Sequence, residues 1–142
     1  MKYQFFANYS NLNAFIPQGC ESGWSEFENA CYRFFSSSLS WGSAMSSCLS
    51  YDSQLTSILT SAEQNFIESI ITSSYEKTWI GGKMGTFEYE WEDGSEFAYT
   101  NWYSGEPDYE GCIYMYPSYS YEWYDYSCTD ANYYVCKKRY DI

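Results

Sequence analysis

The chain has 142 residues, the usual length of one domain with its own hydrophobic core. Hydrophobic residues make up 45% and aromatic residues 23% of it, which excludes a disordered acidic chain. The formal net charge of −12 at pH 7 repels phosphate, so we expect no nucleic-acid partner and no unaided docking on anionic membranes. No stretch has the apolar length of a membrane span, so membrane insertion is not expected either.

The six cysteines stand at positions 20, 31, 48, 112, 128 and 136. An even number in a domain of this size indicates disulfides and an oxidising, extracellular compartment, although the residues alone leave the pairing open. The chain has no His and no CxxC pair, which argues against structural zinc. The sequon Asn8-Tyr9-Ser10 is compatible with secretion. Lys2–Ala7 lacks the apolar length of a signal peptide, so we expect a signal to have been removed.

The first third of the chain predicts an extension, a hairpin and a helix. Residues 1–19 are interpreted as an N-terminal extension and residues 20–142 as the domain. Residues 24–35 alternate around Glu28-Asn29, which predicts a β-hairpin. Ser40 is predicted to cap a helix, because the apolar residues after it fall at helical spacing. Those core-facing residues are Trp41, Ala44, Met45 and Cys48.

A second helix is predicted to open at Thr60 or Ser61. Gln64 stands three residues after Ser61, which is the spacing of a capping box. The predicted apolar face consists of Ala62, Phe66, Ile67, Ile70 and Ile71. Each helix is therefore expected to turn one face toward the core.

The second half of the chain is predicted to contain strands and one long loop. Residues 78–82 predict a buried strand, and Phe87, Tyr89 and Trp91 alternate with glutamates as in a half-buried strand. Further strands are predicted at residues 112–116, 121–126 and 133–138, with Lys137-Lys138-Arg139 as a solvated strand end. Residues 95–111 predict a long irregular loop, and long ordered loops are usually functional. A hairpin, two helices and then strands indicate the α+β fold class.

Three carboxylates fall within five residues of this loop, at Glu106, Asp108 and Glu110, around a proline turn. A disulfide between Cys112 and Cys128 would bring Asp125 beside them. Like charges this close repel unless a cation lies among them, and calcium is the usual hard cation for oxygen ligands outside cells. The sequence therefore predicts an extracellular calcium site.

Six landmarks follow one another along the chain. They are the Cys20/Cys31 pair around Trp24, the helical Cys48, Trp79-Ile80-Gly81-Gly82, Glu106-Pro107-Asp108, Trp123-Tyr124-Asp125, and Cys136 after Tyr133-Tyr134-Val135. In this order they resemble the C-type lectin-like domain, in its long form with an extra N-terminal disulfide, over residues 20–139. The resemblance implies two helices packed on antiparallel sheets, a long irregular calcium-binding loop and three disulfides. The implied pairs are Cys20–Cys31, Cys48–Cys136 and Cys112–Cys128.

The resemblance also implies a binding site. Its calcium ligands would be Glu106, Asp108, Glu110 and Asp125, with a cis bond between Glu106 and Pro107. Two adjacent sugar hydroxyls would coordinate the calcium and hydrogen-bond to its carboxylates. The residues implied to bind carbohydrate are Glu106, Asp108, Glu110, Tyr119, Tyr121, Trp123, Tyr124 and Asp125. No catalysis is expected, because carboxylates on one loop suit a cation better than the two faces of a scissile bond.

Two departures from the family pattern leave the ligand open. Tyr124 stands where the family usually has Asn. The turn Glu106-Pro107-Asp108 lies between the mannose-type pattern Glu-Pro-Asn and the galactose-type pattern Gln-Pro-Asp, so the sugar is undecided. The alternative is a calcium-independent protein-recognition domain that uses its Tyr-rich loop, with mineral or ice binding and glycoside hydrolysis as weaker alternatives. The expected partner is a carbohydrate or a glycoprotein, and a homo-oligomer would add avidity.

Overall fold

The computed structural model describes residues 2–7 and 13–140, with side chains from residue 19 onward. The predicted sequon at residues 8–10 lies outside the described residues. Strands β1 (Lys2–Ala7) and β2 (Asn13–Gln18) pair antiparallel as a separate two-stranded sheet. The elements that follow are β3 (Ser25–Phe27), β4 (Ala30–Leu39), α1 (Trp41–Leu49), β5 (Gln54–Leu55), α2 (Ser61–Ile70), β6 (Thr78–Met84), β7 (Tyr89–Trp91), β8 (Cys112–Tyr116), a 3₁₀ turn (Pro117–Tyr119), β9 (Glu122–Tyr126) and β10 (Asn132–Arg139).

The main sheet has eight strands, with β3-β4-β10-β6-β8-β9 in order, β5 beside β10 and β7 beside β6. Its pairs are antiparallel except that β10 runs parallel to β6, where Tyr133 lies opposite Thr78 and Tyr134 opposite Trp79. The predicted α+β class and the two helices are confirmed. The implied antiparallel sheets are instead joined in one mixed sheet, because a long stretch of chain separates β6 from β10 and allows a parallel return.

The first helix forms as its sequence predicts. The Ser40 Oγ accepts a hydrogen bond from the Ser43 N–H at 3.3 Å, which satisfies a free donor of the first turn. Its buried residues are Trp41, Ala44, Met45 and Cys48. None of the described helices is long and apolar enough to cross a membrane; α1 has 9 residues and α2 has 10.

The second helix begins at Ser61, one of the two predicted positions, and its cap is Thr60. Thr60 caps it by accepting a hydrogen bond from the Glu63 N–H at 3.0 Å, while Glu63 Oε1 accepts one from the Leu59 N–H at 2.7 Å. The predicted capping box at Ser61 and Gln64 is therefore wrong by one residue. Glu63 and Gln64 are buried and Ala62 is exposed, so the buried face is rotated toward two polar residues that find partners inside the domain.

Three disulfides hold these elements together, in the pairing that the resemblance implied. Cys20–Cys31 closes the hairpin of β3 and β4, whose turn places Glu28 and Asn29 at positive φ. Cys48–Cys136 ties α1 to β10 across 88 residues of sequence. Cys112–Cys128 joins the start of β8 to the chain beyond β9, at the end of the sheet where the acidic turn lies.

The long loop packs aromatic side chains over a hydrophobic cluster of the domain. Trp123 is fully buried at the centre of that cluster, and Trp102 contacts it edge to face at 5.8 Å between ring centroids. The backbone adds to this contact, because Trp123 donates its N–H to Asn101 O at 2.8 Å and Trp123 O accepts from the Tyr103 N–H at 2.9 Å. The irregular loop is therefore held in one path along β9.

Two exposure predictions fail. Phe87, predicted to face the core, is 89% exposed, because β7 starts only at Tyr89 and leaves Phe87 in the preceding turn. Lys137, predicted to lie at a solvated strand end, is buried, because its ammonium group pairs with the buried Glu63 carboxylate at 2.5 Å.

Candidate metal centre

Three of the four predicted calcium ligands lie together. Glu106, Asp108 and Asp125 each offer a carboxylate oxygen, and these oxygens all lie within 4.8 Å of one another. Glu106 and Asp108 flank Pro107 on the loop, with a cis bond at Glu106-Pro107, while Asp125 is presented by β9. We call these three residues the acidic triad. They are the one group of this kind among the described residues that could hold a metal ion.

Asp125 anchors the loop by accepting hydrogen bonds from backbone N–H groups of the loop. Its Oδ1 accepts from the Asp108 N–H at 2.8 Å, and its Oδ2 accepts from the Glu110 N–H at 2.6 Å and from the Tyr89 hydroxyl. Burial by itself would raise the pKa of Asp125, but these hydrogen bonds hold it below its ordinary value. Asp125 is therefore a buried carboxylate that stays ionised.

Glu106 brings a polar atom that no protein group satisfies. Its Oε2 is buried and has no hydrogen-bond partner, although the great majority of buried polar atoms have one. Burial, the contact with the Asp125 carboxylate and the negative charge of Asp108 raise the pKa of Glu106 to about 7. The orphaned oxygen and the raised pKa both indicate a carboxylate that lacks a positive partner.

The described part of the chain supplies no such partner. The ion pairs there join Lys137 to Glu63 and Lys138 to Glu21, and neither involves the acidic triad. Hard carboxylate oxygens are the ligands that calcium prefers, and calcium takes about 6–8 of them. The residues present therefore fit this ion, which Glu106, Asp108 and Asp125 would hold with further oxygens from a ligand or from water.

Glu110 does not join the triad through its side chain. Its backbone N–H points at Asp125, and Tyr109 before it takes a left-handed φ of 62°, so the Glu110 side chain lies exposed to solvent. The loop conformation thus uses Glu110 as a backbone donor and leaves its carboxylate outside the group of three.

Tyr124 belongs to a cluster of five tyrosines next to the triad. Its ring stacks on Tyr103 at 4.8 Å and on Tyr114 at 5.5 Å, with interplanar angles of 19° and 7°. We call the whole set the tyrosine cluster: Tyr103, Tyr114, Tyr116, Tyr119 and Tyr124. Burial and the neighbouring tyrosines raise the pKa of Tyr124 to about 12, so its hydroxyl remains a donor at neutral pH.

The other predicted sugar contacts take different places. Tyr119 is half exposed at the edge of the tyrosine cluster. Tyr121 packs its ring against the hydrophobic cluster around Trp123, and its carbonyl accepts hydrogen bonds from Gln64 and Asn101. Trp123 is fully buried and donates its Nε1–H to Gln64 Oε1 at 2.9 Å, so its ring has no surface for direct contact with a sugar.

Sequence reasoning missed Tyr89, Tyr103 and Tyr114 as residues of the site. The sequence pattern predicts Tyr89 only as a core-facing residue of a half-buried strand. The available signal was its hydroxyl, because a buried tyrosine usually needs a polar partner where a phenylalanine does not. Burial and the hydrogen bond to Asp125 raise the pKa of Tyr89 far above its ordinary value, so the phenol stays protonated and donates.

The chain belongs to the C-type lectin domain family: the family described as Lectin C-type domain matches residues 37–138. This confirms the family inferred from the six landmarks. Within it, the chain is 35% identical over 121 residues to ladderlectin of Oncorhynchus mykiss, covering 79% of this chain and 64% of ladderlectin. The chain thus spans less than two thirds of that relative's length.

Solved structures of this fold differ in their use of calcium. One similar structure is the cow C-type carbohydrate-recognition domain of CD23 in the presence of an oligosaccharide, with a TM-score of 0.80, 27% identity, and coverage of 89% of this chain and 100% of that one. Another is a calcium-independent type II antifreeze protein, with a TM-score of 0.77, 25% identity, and coverage of 84% and 94%. The relatives are lectin-like binding domains. A further similar structure is a calcium-dependent type II antifreeze protein, with a TM-score of 0.80, 30% identity, and coverage of 84% and 99%, so the fold occurs with and without a need for calcium.

Proposed function

We propose that this protein is a secreted, calcium-dependent carbohydrate-binding domain without catalytic activity. The observation that carries the proposal is the acidic triad: three carboxylates that meet within 4.8 Å, with a buried Glu106 oxygen that no protein group satisfies. Three closed disulfides and the absence of free cysteines support an extracellular setting. Residues 20–142 would be the lectin domain, residues 1–19 an extension, and assembly into a homo-oligomer would raise avidity.

Calcium bound by the triad would supply a positive centre that neutralises the carboxylates and keeps coordination positions for two adjacent hydroxyls of a sugar. Glu106 and Asp108 would accept hydrogen bonds from those hydroxyls, because ionised carboxylates only accept. Glu110, whose side chain is exposed near the triad, would be a further acceptor at the edge of the site. Each predicted role therefore requires a ligand that is rich in hydroxyl donors.

The tyrosine cluster would contribute the apolar part of recognition. Tyr119 is 50% exposed, and the C–H face of a galactose-like ring packs well against such an aromatic surface. Tyr124 would donate through its hydroxyl, which partly replaces the amide that the family usually carries at this position. A glycan array with and without calcium distinguishes mannose-type from galactose-type ligands.

Calorimetric titration with calcium tests the metal part of the proposal. Glu106→Ala plus Asp108→Ala should abolish measurable binding, because two of the three triad carboxylates are lost. The matched control is Glu88→Ala plus Glu90→Ala, which removes the same charge from exposed positions on and beside β7 and should bind calcium as the unmodified protein does. Unchanged calcium binding in the Glu106/Asp108 variant would end the proposal.

A second function is favoured by one specific observation. Tyr124 fills the usual amide position with a ring stacked in the tyrosine cluster, which resembles a protein-binding surface more than a set of metal ligands. In that case the domain would recognise a protein without calcium. Partner binding that survives excess chelator, together with a glycan array that shows no calcium-dependent signal, would favour this second function.

A further inference from the structure

We infer that Tyr89 is a positioning residue for the proposed calcium site, because its hydroxyl fixes the Asp125 carboxylate and thereby the two loop amides that dock on it. This inference rests on the proposed function for its metal-binding consequence, but its structural part can be tested without metal.

The hydrogen bonds of Asp125 divide unequally between its two oxygens. Oδ2 accepts from both the Tyr89 hydroxyl and the Glu110 N–H, whereas the backbone donor to Oδ1 is the Asp108 N–H. A carboxylate oxygen has about two lone-pair directions, so these two donors fill Oδ2. Tyr89 therefore holds Oδ2 in place and leaves Oδ1 as the oxygen better able to bind a cation.

The ring of Tyr89 is held so firmly that its hydroxyl has a defined position. The residue is 4% exposed and lies on β7, where it pairs with Met84 of β6. Its ring contacts Trp102 at 5.4 Å, Phe97 at 6.2 Å and Tyr109 at 6.3 Å between centroids. Because these contacts involve the ring and not the hydroxyl, Tyr89→Phe should keep the packing and fold normally.

The domain contains a matched pair for this experiment. Tyr32 is also buried, and its hydroxyl also donates to a buried carboxylate. That carboxylate belongs to Glu63, which lies outside the acidic loop. Tyr32→Phe removes the same atom from the same kind of hydrogen bond without touching Asp125. It separates a specific effect on the loop from the general cost of losing a buried tyrosine hydroxyl.

The first measurement is amide hydrogen exchange at Asp108 and Glu110 in the full chain, in excess chelator. Tyr89→Phe should exchange both amides faster than the unmodified protein, because the carboxylate that accepts from them is no longer fixed. Tyr32→Phe should leave both rates unchanged even though it lowers the melting temperature. Equal protection of these two amides in Tyr89→Phe and in the unmodified protein would overturn the inference.

The second measurement is calorimetric titration of the same three proteins with calcium. Loss of a group that orients a metal ligand typically weakens metal binding by about 10-fold or more, so we expect a loss of about 10-fold for Tyr89→Phe and none for Tyr32→Phe. Equal calcium affinity in Tyr89→Phe and the unmodified protein would refute the effect on the metal. An unmodified protein that binds no calcium would refute the proposed function alone, and the exchange rates would still decide the role of Tyr89.

Discussion

The domain contains two buried carboxylates with nearly the same hydrogen bonds and opposite charge environments. Glu63 is 5% exposed and Asp125 is 3% exposed, and each accepts from a buried tyrosine hydroxyl and from backbone N–H. Glu63 also has the Lys137 ammonium group at 2.5 Å. Asp125 has two more carboxylates beside it instead.

This difference separates a network with its own cation from one that lacks a cation. The Glu63 network contains its own cation, because Lys137 donates to Glu63 and, at 2.9 Å, to Ser57, whose hydroxyl donates to Asp93. The Asp125 network has no cation, and it leaves the buried Glu106 Oε2 without a hydrogen-bond partner. Under the proposed function, a calcium ion would supply both the missing charge and the missing partner.

The largest effect is expected where the Glu63 network loses its cation. Lys137→Met keeps the apolar stem and leaves Glu63 buried without a positive partner, which should cost about 3–5 kcal/mol in the free energy of unfolding. Urea denaturation should give the same loss in calcium and in chelator, because the hydrogen bonds of this pair do not involve the triad. Lys138→Met is the control, since Lys138 pairs with the exposed Glu21 at 3.8 Å and should cost less than about 1 kcal/mol. A loss for Lys137→Met that disappears in calcium would contradict the separation of the two networks.

The next effect is the stabilisation that the acidic triad should gain from calcium. At a free calcium concentration of about 100 times the Kd, the free energy of unfolding should rise by about 2.7 kcal/mol. Asp108→Asn should lose most of this rise, because it removes a triad carboxylate while keeping the backbone N–H that docks on Asp125. In chelator the same variant should be as stable as the unmodified protein or slightly more so, since repulsion within the triad is reduced. Equal calcium stabilisation in both proteins would refute the prediction.

Substitution of Tyr124 tests whether the acidic triad lacks one further oxygen ligand for calcium. Tyr124→Asn should lower the free energy of unfolding in chelator by about 1–2 kcal/mol, because the stacks on Tyr103 and Tyr114 are lost. It should at the same time raise calcium affinity several-fold by adding an amide oxygen beside the triad. Tyr124→Phe, which keeps the ring, should change neither quantity much. A Tyr124→Asn protein that loses stability but gains no calcium affinity would show that position 124 does not reach the ion.

The smallest effect concerns pH in the absence of calcium. Because the pKa of Glu106 rises from 4.5 to about 7 on folding, the folded protein holds a proton that the unfolded chain has released. Stability should therefore fall as pH rises from about 4.5 to about 7, while the lowered pKa of Asp125 acts only under more acidic conditions. Glu106 as a whole is only partly buried, so solvent screens much of the effect and the melting temperature in chelator should fall by only about 1–3 °C between pH 5 and pH 7.5. Glu106→Gln should lack this slope, and a melting temperature that rises over the same range would contradict the sign.

Features encoded by neighbouring residues could be predicted from the sequence. Ser40 begins α1, Glu28-Asn29 turns the first hairpin, and the apolar residues of α1 face the core, as predicted. Each depends on a short pattern of residue types with its own local energetic preference. The cap of α2 is the exception, because Thr60 and Ser61 are both good caps and the buried contacts of Glu63 decide between them.

Features that depend on distant residues could not be predicted in this way. Lys137 pairs with Glu63 across 74 residues of sequence, and Tyr89 reaches Asp125 across 36. No local pattern distinguishes a lysine that will be buried from one at a solvated strand end. The triad could be anticipated because two of its members flank one proline, but the outward turn of Glu110 follows from the docking of its backbone on Asp125.

The docking of the loop on Asp125 through positions 108 and 110 uses main-chain donors. Every amino acid except proline carries the same donor. Substitutions other than proline at these two positions should therefore change the side chains that the loop presents while they preserve its course over the domain. Such a loop is suited to gradual evolutionary change of ligand, and a randomised library at both positions would be a practical starting point for new binding reagents.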